Sequence, residues 1–115
     1  MQYLLLIYGN EEATLKAGKE TTAETMAAYA SFKEAMKKAG VYVGSNRLRP
    51  TASAATVRAP NGKVSTTDGP FAETKEQLGG YYMIEVPDID AALAWAARCP
   101  ATRHGAVEVR PVWPT

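Results

Sequence analysis

The chemistry this sequence offers is concentrated in a few side chains. Asp68 opens the turn Asp68-Gly69-Pro70-Phe71. An aspartate before Gly-Pro is first of all a turn residue. Gly69 suits an unusual backbone angle, and Pro70 disfavours helix at the residue before it. Phe71 is expected to anchor the loop in the core. As a functional group Asp68 is a general acid or base, a role that calls for a pKa raised by burial. His104, in Arg103-His104-Gly105, is the only histidine, and histidine is the residue type best suited to moving protons near neutral pH. A loop histidine is by default solvated. It becomes a proton-transfer partner if the fold brings it within hydrogen-bonding reach of Asp68, within one chain or across a dimer.

Four further residues are candidates for binding. Glu108 and Arg110 lie two apart on a strand and so share a face, either as a structural ion pair or as a polar pair that orients a ligand. Tyr81 supplies an aromatic wall beside them. Lys75, within the charged run Glu73-Thr74-Lys75-Glu76, offers a cation to an anionic ligand, although solvation is the default for such a run. Arg49, before Pro50, is one more cation of unknown direction. Gly79-Gly80 reads as a β-bulge, or as room for a ligand beside the backbone. Trp95 falls off the main face of its helix and is expected at a rim or a dimer contact. No nucleophile elbow, dinucleotide fingerprint or phosphate-loop spacing accompanies these residues, so no cofactor is expected. One histidine and one cysteine, Cys99, are too few for a typical zinc site, and no metal is expected either.

Composition narrows the partners. Thirteen basic residues against twelve acidic give a net charge of +1, which provides no electrostatic reason for direct nucleic-acid or membrane binding. Hydrophobic residues make up 46% and charged residues 22%, ordinary globular usage. The longest apolar run, Tyr3 to Tyr8, is far short of a membrane span, and no signal-peptide pattern is recognisable, so a cytoplasmic protein is expected. The 115 residues fit one domain, residues 1–115, able to bury roughly two-thirds of its unfolded surface.

The elements that must position these groups are legible in outline. Tyr3 to Tyr8 is apolar on both alternating faces and reads as a central strand. Residues 10–20 are polar and aperiodic, hence a loop. Thr21-x-x-Glu24 is a capping-box pattern that starts a helix with Met26, Tyr29, Phe32, Met36 and Ala39 on one face, and Gly40 stops it. A strand from Val41 to about Leu48 follows. Ala54–Ala59 and Lys63–Thr66 then form a hairpin about Asn61-Gly62. Glu73–Gln77 suggests a short helical turn. Gly80–Val86 is a strong strand, and Asp88 caps a helix carrying Ile89, Ala92, Leu93, Ala96 and Ala97 on one face. Ala106–Arg110 is the last strand.

The order is β-α-β, hairpin, β-α-β: an α+β fold with a ferredoxin-like antiparallel sheet and two helices on one face. If Tyr82, Ile84 and Val86 face the helices, then Tyr81, Met83 and Glu85 face away, together with Glu108, Arg110 and part of the first strand. A mixed patch of that size is rarely left bare. A homodimer is therefore expected, its two sheets packed face to face into a dimeric α+β barrel.

Asp68-Gly69-Pro70-Phe71-Ala72-Glu73-Thr74-Lys75-Glu76 resembles, at all nine positions, the signature of the DGPF family, a branch of the YCII-related proteins. Tyr3–Gly9, Gln77–Tyr82, Ala94–Pro100 and Val107–Val112 also resemble that family, so the resemblance spans essentially the whole chain. It implies the same dimeric barrel. It also implies a histidine–aspartate pair in a cleft, whose aspartate corresponds to Asp68. The one histidine, His104, lies near the C-terminus rather than early in the chain. Family members occur beside alternative sigma factors, which implies a regulatory setting. Two functions are thus open. One is a cofactor-independent acid–base enzyme acting on a small polar molecule in a dimer cleft, with Asp68 as acid or base and His104, Tyr81 or Arg110 orienting the substrate. The other is a small-ligand-binding or accessory protein linked to transcriptional regulation.

Overall fold

A computed structural model covers residues 1–115. Its centre is β1 (Gln2–Gly9), which pairs antiparallel with β5 (Gln77–Glu85) on one side and β6 (Ala106–Pro111) on the other. β2 (Tyr42–Arg47) pairs antiparallel with the outer side of β5, giving the order β2-β5-β1-β6. This is the split β-α-β arrangement expected from the sequence. The crossovers are α2 (Lys19–Lys38) and α3 (Ile89–Ala97). Between β2 and β5 the chain makes a separate two-stranded hairpin, β3 (Ala55–Arg58) and β4 (Ser65–Asp68).

Strand alternation places the core. Tyr3 and Leu5 of β1, and Tyr82 and Ile84 of β5, point at the helices, with Val86 just beyond the strand; all five are buried. Phe32 and Met36 from α2, Ala92 and Ala96 from α3, and Cys99 close the cluster. The small alanines let α3 approach the sheet closely. Phe32 meets the Tyr82 ring edge-on at 5.2 Å, a geometry that adds about 0.5–1.5 kcal/mol to area burial. Burying Leu5 or Ile84 completely contributes roughly 1.5–3 kcal/mol each. Burial pushes the Tyr29 and Tyr82 phenols up to about 12.

Several local expectations are corrected. Residues 10–20 are not a loop: α1 (Glu11–Lys16) forms there, capped by the Asn10 side chain accepting from the Ala13 N–H. α2 already begins at Lys19, so Thr21 and Glu24 lie inside the helix rather than at its cap. Trp95 is half-buried against the core, 6.4 Å from the Phe32 ring, with Arg98 stacked on it at 4.4 Å. Phe71 is 75% exposed and lies under the Arg58 guanidinium instead of anchoring in the core. The hairpin loop is longer than a two-residue turn. Asn61 and Gly62 do adopt positive φ, but Arg58 pairs with Ser65, leaving six residues between. The segment 73–76 is not helical, with bends only at Lys75 and Glu76, and β5 starts at Gln77.

Glycine is required where strands or loops crowd each other. A Cβ at Gly105 would lie 2.1 Å from the Tyr8 carbonyl oxygen, and one at Gly80 would lie 2.8 Å from that of Asn46. Gly79 has only one backbone atom, 4.0 Å away, and lies in the bulge where the β1–β5 register shifts between Ile7 and Tyr8. We therefore expect G105A and G80A each to lower unfolding free energy by about 1–3 kcal/mol in urea titrations, with G79A far milder. Equal losses at all three positions would contradict this account of the sheet.

Candidate functional site

The face of the sheet away from the helices is uncovered. β1 presents Leu4, Leu6 and Tyr8 there, β5 presents Tyr81 and Met83, and β6 presents Glu108 and Arg110. Cross-strand register arranges them in rows: Met83, Leu4 and Arg110 in one, Tyr81, Leu6 and Glu108 in the next. Tyr81 and Glu108 are thus two strands apart, roughly 10 Å.

Glu108 organises the polar part of this face. Arg110 donates to its Oε2 from Nε at 3.1 Å and from Nη2 at 2.5 Å, and the Tyr8 hydroxyl donates to its Oε1 at 3.2 Å. The Arg110 hydrogen bonds hold the Glu108 carboxyl below the usual carboxylate range. Partial burial, then the hydrogen bond to Glu108, raises the Tyr8 phenol. Glu108 is therefore a fixed anion and Tyr8 a fixed donor at neutral pH, better suited to orienting a ligand than to exchanging protons. Tyr81 accepts a hydrogen bond from Asn46 Nδ2 at 2.8 Å, which leaves its own hydroxyl proton free to donate. Arg110 likewise retains N–H groups not used on Glu108.

The 68–76 segment lies elsewhere, at the rim where β4 returns to β5. Asp68 is the last residue of β4, paired with Ala55, and is exposed. The turn proper starts at Gly69, whose φ of 104° favours glycine, whose N–H donates to the Ala54 carbonyl at 2.7 Å, and whose carbonyl accepts from Thr56 Oγ1. Thr74, Lys75 and Gln77 then meet Asn10, Glu11 and Glu12 around a wholly polar depression of about 490 Å³. Gln77 ties it together, donating to the Thr74 carbonyl and accepting from the Glu11 N–H. The Glu11 carboxylate accepts from the N–H and the hydroxyl of Thr51, fixing the chain that leaves β2.

Of the residues singled out from the sequence, Glu108, Arg110 and Tyr81 share the open face. Lys75 lines the rim depression. His104 is exposed before β6, while Asp68 belongs to the hairpin inserted after β2; β2 and β6 are opposite edges of the sheet, and no hydrogen bond joins the two side chains. Tyr8 escaped notice, although alternation along β1 places it with Leu4 and Leu6. Glu11 carried no readable signal, because its partner Thr51 is forty residues away.

The Glu108 pair has a pH consequence. Its folded pKa is depressed, so the stability it contributes is present above the unfolded value and is lost as pH falls through the folded one. Chemical denaturation should show E108Q less stable than wild type near neutrality, with the difference vanishing in acid. A difference independent of pH would contradict the assignment.

The comparisons with known proteins agree with this architecture. The family model for the YCII-related domain matches residues 1–115. The uncharacterised protein R00369 of Rhizobium meliloti (strain 1021) is 39% identical over 116 residues, covering 97% of this chain and 92% of that protein. Among solved structures, 5-chloro-2-hydroxyhydroquinone dehydrochlorinase (TftG) from Burkholderia phenoliruptrix AC1100, in complex with 2,5-dihydroxybenzoquinone, is similar with a TM-score of 0.57. That similarity covers 100% of this chain and 96% of the other at 14% identity, and so speaks to the fold. No helix is long and apolar enough to cross a membrane. With a family model spanning every residue of the chain, the protein belongs to the YCII-related family.

Proposed function

We propose that this YCII-related protein, of the DGPF branch by its nine-residue signature, is an acid–base enzyme acting on a small polar molecule in the cleft of a homodimer. The observation that carries this reading is the open sheet face. It combines an apolar floor of Leu4, Leu6 and Met83 with a few directed polar groups, the composition of a small-molecule cleft. Alone, the face is a floor without a roof; a second copy opposed to it supplies one. Shape favours that arrangement. The chain measures 47 × 43 × 19 Å, and its radius of gyration of 16.0 Å exceeds the roughly 13 Å of a compact chain this long.

Within that cleft Tyr81 and Arg110 would donate to oxygen atoms of the substrate, with Glu108 keeping Arg110 in place. Asp68, exposed on the hairpin and away from this face within one chain, would have to reach the cleft from the opposed copy to serve as acid or base, and His104 would have to meet it there to serve as proton-transfer partner; Lys75 adds a cation at the rim. The dehydrochlorinase with the same fold acts on a hydroxylated aromatic ring, which makes such rings the first probes to try.

The test is turnover and binding of a panel of hydroxylated quinols and quinones, 2,5-dihydroxybenzoquinone included. Wild type should turn over at least one. D68N should lose about 10²–10⁴-fold in kcat with its melting temperature unchanged, while R110Q should chiefly raise KM. Full activity in D68N would remove Asp68 from the chemistry, and absence of both binding and turnover across the panel would contradict the enzyme reading.

A further inference from the structure

A second polar cluster lies on the opposite, helix-covered side of the sheet, at its β2 edge. Tyr42 points from β2 toward α2, and its hydroxyl lies 2.6 Å from Ser45 Oγ. Two ammonium groups converge on the same ring. Lys33 Nζ is 5.3 Å and Lys37 Nζ 5.5 Å from its centroid. Lys33 and Lys37 are one helical turn apart on α2, and like charges at that spacing repel. Neither forms an ion pair with a carboxylate; the ion pairs of the chain involve the N-terminus with Glu85, Lys16 with Glu12, and Arg110 with Glu108. In a chain with a net charge of only +1, two cations held together without a counter-charge are a local feature, not a reflection of composition.

The hydroxyls complete the set. Whichever of Tyr42 and Ser45 donates in their mutual bond, the other keeps a proton to offer outward. The cluster thus presents two ammonium groups and one free hydroxyl donor at a partly exposed edge. An oxyanion would relieve the lysine repulsion and accept all three. Partial burial pushes the Tyr42 phenol up, but its hydrogen bond with Ser45 and the nearby ammonium groups of Lys33 and Lys37 outweigh it and hold the phenol below its ordinary value.

We propose that Lys33, Lys37, Tyr42 and Ser45 form an oxyanion site for a phosphate group, free or carried as a phosphomonoester. The site is separate from the open face and does not depend on the function proposed for that face.

Inorganic phosphate and phenyl phosphate, each titrated at constant ionic strength set with sodium chloride, distinguish the two sources. Ring-labelled tyrosine NMR on the full chain resolves the response, with Y42F assigning the Tyr42 signal. A saturable shift of Tyr42 and a rise in its phenol pKa are expected, since a bound anion disfavours the phenolate. Response to both ligands supports a site for free phosphate, and response to phenyl phosphate alone supports an ester site. K33Q/K37Q should weaken binding by about tenfold or more while leaving the other tyrosine signals in place. A shift no larger than sodium chloride produces, or one that persists in K33Q/K37Q, overturns the proposal.

Discussion

The structure depends on one constraint: β1 is apolar on both faces, while the chain supplies helices for only one of them. Tyr3 and Leu5 are buried beneath α2 and α3, whereas Leu4 and Leu6, one residue out of phase, remain half-exposed. Because a strand alternates strictly, no shift of register covers both sets. The flat shape, the shortage of buried residues and the open mixed face all follow. The core forms from the inward set alone, joined from α2 only by Phe32 and Met36, the two buried residues of that helix.

The open face is not simply greasy. Its central row sets Leu6 between Tyr81 and Glu108, so each polar group stands beside apolar surface rather than in bulk water. Opposing a second such face would lower the dielectric around the Glu108–Arg110 pair. A carboxylate already bonded on both oxygens tolerates that change better than a free one, because its desolvation is offset by partners in place. The rim differs in kind. Glu11 and Gln77 fix the connections on either side of the hairpin, while Asp68 stays unencumbered at its end.

Much of this was readable from sequence because period-two alternation is a strong signal in β1, β5 and β6. The strand order followed from the element order, and Asp88 marked its helix start correctly because its cap bond is local, to the Ala91 N–H. Errors arose where a local pattern competed with longer-range contacts. Thr21-x-x-Glu24 resembled a cap, yet helix continues upstream to Lys19. Phe71 had every reason to be placed inside by hydrophobicity, but β3 and β4 form a two-stranded arm with no core of their own, and the ring rests against Arg58. The polar network on the open face was half legible: Glu108 and Arg110 share a strand, whereas Tyr8 reaches Glu108 from one hundred residues away.

The central claim is that the open face is covered by a second copy of this chain. Native mass spectrometry at micromolar concentration tests it most directly. The account predicts a species of twice the 12.4 kDa chain mass. A lone 12.4 kDa species under those conditions would contradict it.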